Sequence, residues 1–146
     1  MELALLLLVV LAPLMCAVGI THVFALSWNR SSEQIAVNIE LEADGEQNFD
    51  VTVPGSGNVV IAAEIDVSAL LGVWISCDAD IALHTNDDGT PDDQFTITAD
   101  KPLVWYSGCG LPNPFASAVD VESFKAIKAD ADDATLKMRF LYDATP

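Results

Sequence analysis

The residues best suited to chemistry sit in one turn, Asn86-Asp87-Asp88-Gly89-Thr90-Pro91-Asp92-Asp93, where four carboxylates surround a glycine and a proline. Carboxylates clustered on a flexible turn can wrap a hard cation, since Ca²⁺ takes about six to eight oxygen ligands. The EF-hand pattern fails here, because His84 stands where its first Asp belongs and Phe95 where its bidentate Glu belongs. Asp87, Asp88, Asp92 and Asp93 are therefore a weak Ca²⁺ candidate. The simpler reading is a solvated hairpin turn in which Asp and Asn cap their own backbone. Asp78 with Asp80, and Asp130 with Asp132 and Asp133, form similar acidic turns, which favours a general surface charge.

Other chemistries find less support. His22 and His84 are the only histidines and have no cysteine at zinc-ligand spacing. Gly55-Ser56-Gly57 is a turn, not a nucleophile elbow, and neither a Walker loop nor a dinucleotide fingerprint occurs. Carboxylate pairs of the glycosidase kind are easy to propose on so acidic a chain and carry little information. Trp28, Trp74, Trp105 and Tyr106 could line a sugar-binding face. Aromatics inside apolar strands are more often core, and Trp74 between Val73 and Ile75, like Trp105 beside Val104, reads as core. No catalytic residue is assigned, no cofactor beyond the Ca²⁺ candidate is expected, and the chain reads as a non-enzyme.

Charge narrows the partners. The net charge is −16, and the basic residues are Arg30, Lys101, Lys125, Lys128, Lys137 and Arg139. Nucleic-acid binding needs a basic footprint that displaces counterions, and an anionic membrane surface repels such a chain. Of three cysteines, Cys16 lies in an apolar leader and Cys77 and Cys109 in the body. The body pair could join if the protein is exported, and would stay as free thiols in a reducing cytosol.

The elements that position these residues are short. Residues 1–19 form the leader: Leu3 to Ile20 is an unbroken uncharged run, LALLLLVVLAPLMCAVGI. It fits a signal peptide with a small-x-small site at Ala17-Val18-Gly19, or a retained anchor, although Glu2 replaces the usual basic flank. A third reading is a start assigned too early, with translation beginning at Val18. Membrane contact is expected only through residues 3–20, if they are retained.

Residues 20–146 read as one β-domain. Val23 to Trp28 make a first strand, and Ile35, Val37, Ile39 and Leu41 alternate with polar residues, one face buried and one wet. Phe49, Val51 and Val53, then Val59, Ile61, Ala63 and Ile65, repeat the pattern. Ser68 is a candidate cap for a short turn. Val73-Trp74-Ile75, Ile81-Ala82-Leu83, Phe95-Thr96-Ile97 and Leu103-Val104-Trp105-Tyr106 are too short for helices and right for strands. Gly108 to Phe115 is a loop. Val119, Val121, Phe124 and Ile127 fit either strand or a short helical turn, and Leu136, Met138, Phe140 and Tyr142 close the chain as a strand. Some eight or nine strands without an amphipathic helix predict an antiparallel β-sandwich or jelly roll.

Several blocks taken together resemble a group of small phage and prophage proteins, virion structural components of decoration or minor-capsid type. These blocks are Asp66-Val67-Ser68-Ala69-Leu70, Ile75 to Asp87, Pro91-Asp92-Asp93, Lys101-Pro102-Leu103-Val104-Trp105 and Arg139-Phe140-Leu141-Tyr142-Asp143. The resemblance runs from about Thr21 to the C-terminus. It implies a β-sandwich that serves by assembly on a capsid or tail, with other virion proteins and further copies of itself as partners, put together in the host cytoplasm. The apolar leader departs from that pattern. It leaves a second expectation open: a secreted or membrane-anchored β-sandwich module binding Ca²⁺ or glycans.

Overall fold

The computed structural model describes residues 19–30, 33–115, 117 and 120–143. The rest of the leader, Val119 and the side chain of Trp28 lie outside the described residues. Ten strands are present: β1 (Ile20–Arg30), β2 (Glu33–Ala43), β3 (Gly45–Val53), β4 (Asn58–Asp66), β5 (Leu70–Cys77), β6 (Ile81–Thr85), β7 (Gln94–Ile97), β8 (Leu103–Tyr106), β9 (Asp120–Ile127) and β10 (Ala134–Tyr142). A 3₁₀ turn over Val67–Ala69 joins β4 to β5. No helix among the described residues is long and apolar enough to cross a membrane.

Period-two alternation gives each strand one apolar side, and two antiparallel sheets bury those sides against each other. The first sheet has the order β3-β10-β5-β8 and the second β4-β9-β6-β7. The predicted β-sandwich is therefore the observed fold. Val73 and Ile75 of β5 and Leu136, Met138 and Phe140 of β10 face Leu83 of β6 and Val121, Phe124 and Ala126 of β9, all fully buried. Phe124 and Phe140, one from each sheet, stack at 5.4 Å between ring centroids. Phe115, from the loop after β8, adds edge-on contacts to Phe95 and Phe124 and a tilted contact to Phe140.

Several sequence expectations change. Strand β9, ambiguous in sequence, is an inner strand of the second sheet. Its pairing with β4 shifts register between Ala62 and Ile65. That irregularity turns both Val121 and Phe124 inward, so a strand shows a helix-like spacing of three. At the 3₁₀ turn the cap is Asp66 and not Ser68: Asp66 Oδ1 accepts from the Ser68 amide at 2.8 Å and the Ser68 hydroxyl at 2.6 Å. These bonds hold the Asp66 carboxyl below its ordinary range. Trp105 is core, as expected, but Trp74 is 39% exposed. With Val73 and Ile75 turned inward, pleating sends Trp74 to the outer face of the first sheet.

Strands β1 and β2 pair only with each other, in register from Ile20 opposite Ala43 to Arg30 opposite Glu33. Near its base this hairpin lies on the outer face of the first sheet. Gly72 of β5 makes the approach possible, since a Cβ there would stand 3.2 Å from Leu41, 3.3 Å from Leu141 and 3.4 Å from Phe24. Leu141 points outward from β10 yet is 4% exposed, because the hairpin covers it. The expected buried face of β2 is thus only half covered: Ile39 and Leu41 are partly shielded, while Val37 and Ile35 are 49% and 50% exposed.

Phe115→Ala removes the ring that touches both sheets. We expect a loss of about 3–5 kcal/mol, the usual range for truncating a buried Phe, measured as a lower urea midpoint with the far-ultraviolet β signature retained.

Candidate functional site

The acidic turn joins β6 to β7, and the structure gives its carboxylates structural work. Asp87 Oδ2 lies 3.0 Å from His84 Nδ1 and 3.0 Å from Lys125 Nζ, while Oδ1 accepts from the Gly89 amide at 3.0 Å. The His84 and Lys125 contacts hold the Asp87 carboxyl down, from 3.8 to about 2. Asp92 Oδ2 accepts from Asn86 Nδ2 at 2.8 Å. The Asp93 amide donates to the Thr85 hydroxyl at 2.9 Å, and Asp93 Oδ2 faces inward without a hydrogen-bond partner. Asp88 is exposed, its amide donating to the Asn86 carbonyl. Among the described residues, no group of three or more His, Cys, Asp and Glu side chains converges in a way that could hold a metal ion.

Asn86 organises this region, and its side chain reaches beyond the local backbone expected for it. Its Oδ1 accepts from the amides of Glu122 at 2.8 Å and Ser123 at 3.2 Å, and its Nδ2 donates to the Asp120 carbonyl at 2.7 Å. These are backbone groups of the irregular stretch of β9, where the ladder to β4 is broken. A short amide side chain is suited to this task because it carries a donor and an acceptor together. Asn86 also takes φ of +48°, a left-handed conformation that Asn tolerates better than most residues. The signal available in sequence was Asn at the head of the turn, which marks an Asx-type role without naming the partner.

A second surface is more open. On the outer face of the first sheet, Trp74 stands opposite Arg139 in the β5–β10 register. Arg139 is held in place, donating to the Phe49 and Met138 carbonyls and to both oxygens of Asp50 at 2.8 and 3.0 Å. On one side of Trp74 a groove of about 380 Å³ runs beneath β1, where His22 Nε2 lies 3.1 Å from Glu46 Oε2. On the other side a groove of about 420 Å³ is walled by Trp74 and Pro102. Cys77, at its floor, is buried, and burial pushes its thiol pKa up; Cys109 is part-exposed, and both are free thiols.

No family model matches this chain, and no curated protein matches it. Two solved structures are similar. A subunit of the disulfide-linked pili that form Bacillus endospore appendages is 9% identical, with a TM-score of 0.41 over 68% of this chain and 87% of that one. The mitogen derived from Yersinia pseudotuberculosis is 14% identical, with a TM-score of 0.37 over 70% of this chain and 89% of that one. Neither likeness bears on what this chain does.

Two predictions test the turn. Asp87 has a depressed carboxyl in the folded state, so its contribution to stability is complete above its ordinary pKa of 3.8 and is lost as pH falls towards about 2. Asp87→Asn should flatten the fall in urea midpoint between about pH 4 and pH 2 relative to the parent chain. Asn86→Ala leaves the β9 amides unpaired and should cost about 2–3 kcal/mol, with faster hydrogen exchange at Glu122 and Ser123 by nuclear magnetic resonance.

Proposed function

We propose that this chain is a non-enzymatic structural subunit that acts by assembly onto a larger particle, with a phage virion as the particle its sequence blocks point to. The observation that carries the reading is the β1–β2 hairpin. On one of its faces Leu26, Ile35 and Val37 are 45%, 50% and 49% exposed, side by side beyond the part that rests on the sandwich. Apolar side chains so grouped mark interaction surfaces more often than solvent faces. Glu40 and Glu42 lie on the opposite face of β2, and the acidic residue on the stripe's own face, Glu33, sits at the far end of the hairpin opposite Arg30 in the register. Both outer edges of the hairpin are unpaired among the described residues, and a two-stranded ribbon gains stability from a third strand or a covering surface. Two free thiols agree with assembly in a reducing cytoplasm. The Ca²⁺-module alternative draws less support, because Asp87 and Asp92 already hold protein partners.

Val37→Glu tests this. The sandwich should keep its melting temperature, while incorporation into purified particles, read by quantitative mass spectrometry, falls about tenfold or more, as for loss of an interface anchor. Unchanged incorporation, or particles that contain none of this chain, would sink the proposal.

A further inference from the structure

We propose that the groove beside Trp74 binds neutral sugar rings, a role separate from assembly through the hairpin. Trp74 offers an indole face on the outside of the first sheet, and its Nε1 donates to the Ser76 hydroxyl at 3.3 Å, which fixes the ring's orientation. Pro102 supplies a second apolar wall. Around them stand groups of both hydrogen-bonding senses: the hydroxyl of Ser76, the carboxylates of Asp78 and Asp100, and the ammonium of Lys137.

Several of these groups have capacity to spare. Asp78 uses Oδ1 to accept from the Thr135 amide at 2.7 Å. Asp100 sits at the tip of a left-handed turn with φ of +57°, anchored by its amide to the Cys77 carbonyl at 3.1 Å, and exposes its carboxylate. Lys137 is exposed and forms no ion pair among the described residues.

The ligand class follows from this chemistry. An aromatic platform with a polar fringe matches a pyranose, which has one face of C–H groups and a rim of hydroxyls that both donate and accept. Two carboxylates beside a single lysine disfavour an anionic ligand such as a nucleic acid or an acidic lipid headgroup. A purely apolar ligand would strand the charged rim. At about 420 Å³ the groove falls within the size range of small-ligand sites.

The test is a titration of the full chain with glucose, mannose and N-acetylglucosamine hexasaccharides, followed by tryptophan fluorescence and by calorimetry. We expect at least one to bind saturably at or below millimolar concentration. Trp74→Ala should weaken that binding about tenfold or more, and Trp74→Phe less, because a ring remains to stack. Asp100→Asn, an exposed change that removes the charge and keeps a side chain tolerant of the left-handed backbone, should weaken it several-fold and separates loss of the site from loss of the fold. Silence from all three hexasaccharides, or binding untouched by Trp74→Ala and Asp100→Asn, overturns the proposal. So does finding that Trp74→Ala abolishes particle incorporation while no sugar binds, which would assign the indole to a protein contact. Failure of the hairpin variant Val37→Glu to alter assembly leaves this result unaffected, so the two proposals fail separately.

Discussion

The meeting of Phe115 with Phe124 and Phe140 is the contact on which the rest of the molecule depends. Two sheets pack about 10 Å apart, and large side chains must fill the interval. Here one ring from each sheet stacks and a third enters from a loop. The loop is itself held in place. Asn113 accepts from the Phe115 amide at 3.0 Å and donates to the Val67 carbonyl at 3.2 Å, and the Trp105 indole donates to the Leu111 carbonyl at 3.2 Å. The Gly- and Pro-rich segment after β8 is therefore a strap that delivers a core residue, tied at one end to the 3₁₀ turn.

Polar groups are used with similar economy. The chain has few cations, and three of them are directed at neighbouring carboxylates: Lys125 at Asp87, Lys128 at Asp130 and Arg139 at Asp50. Lys128 is buried, its ammonium 3.4 Å from Asp130 and its amide donating to the Gly57 carbonyl. What remains on the surface is overwhelmingly acidic, which keeps the body soluble and resists indiscriminate contact. In that setting the uncharged stripe of the hairpin and the mixed groove beside Trp74 stand apart from the general surface. They also lie on the same side of the sandwich.

Alternation and composition made most of the strands legible. Ile35 to Leu41, Phe49 to Val53 and Leu136 to Tyr142 announce themselves because pleating sends every second residue to the same face. The sandwich follows from many short strands without a helix. Strand β9 was harder to recognise, since a ladder irregularity destroys the period that identifies a strand. Trp74 was misplaced for a related reason. An apolar neighbour on each side suggests core, yet the neighbours of a strand residue point away from it, so Val73 and Ile75 being buried is what puts Trp74 outside.

The sequence by itself determined the class of fold and the acidic surface, because these depend on local period and on summed charge. It also marked the turn from Asn86 to Asp93 as a dense group of carboxylates. Only the tertiary structure decided what that turn does, because Asn86 and Asp87, beside their local partners, reach groups of β9 some thirty-six positions away in the chain. It alone separated the first two strands from the sandwich and left their apolar stripe half covered. Pairing, sheet order and the side of a sheet on which a residue emerges are non-local, set by which strands meet and not by the residues along any one of them.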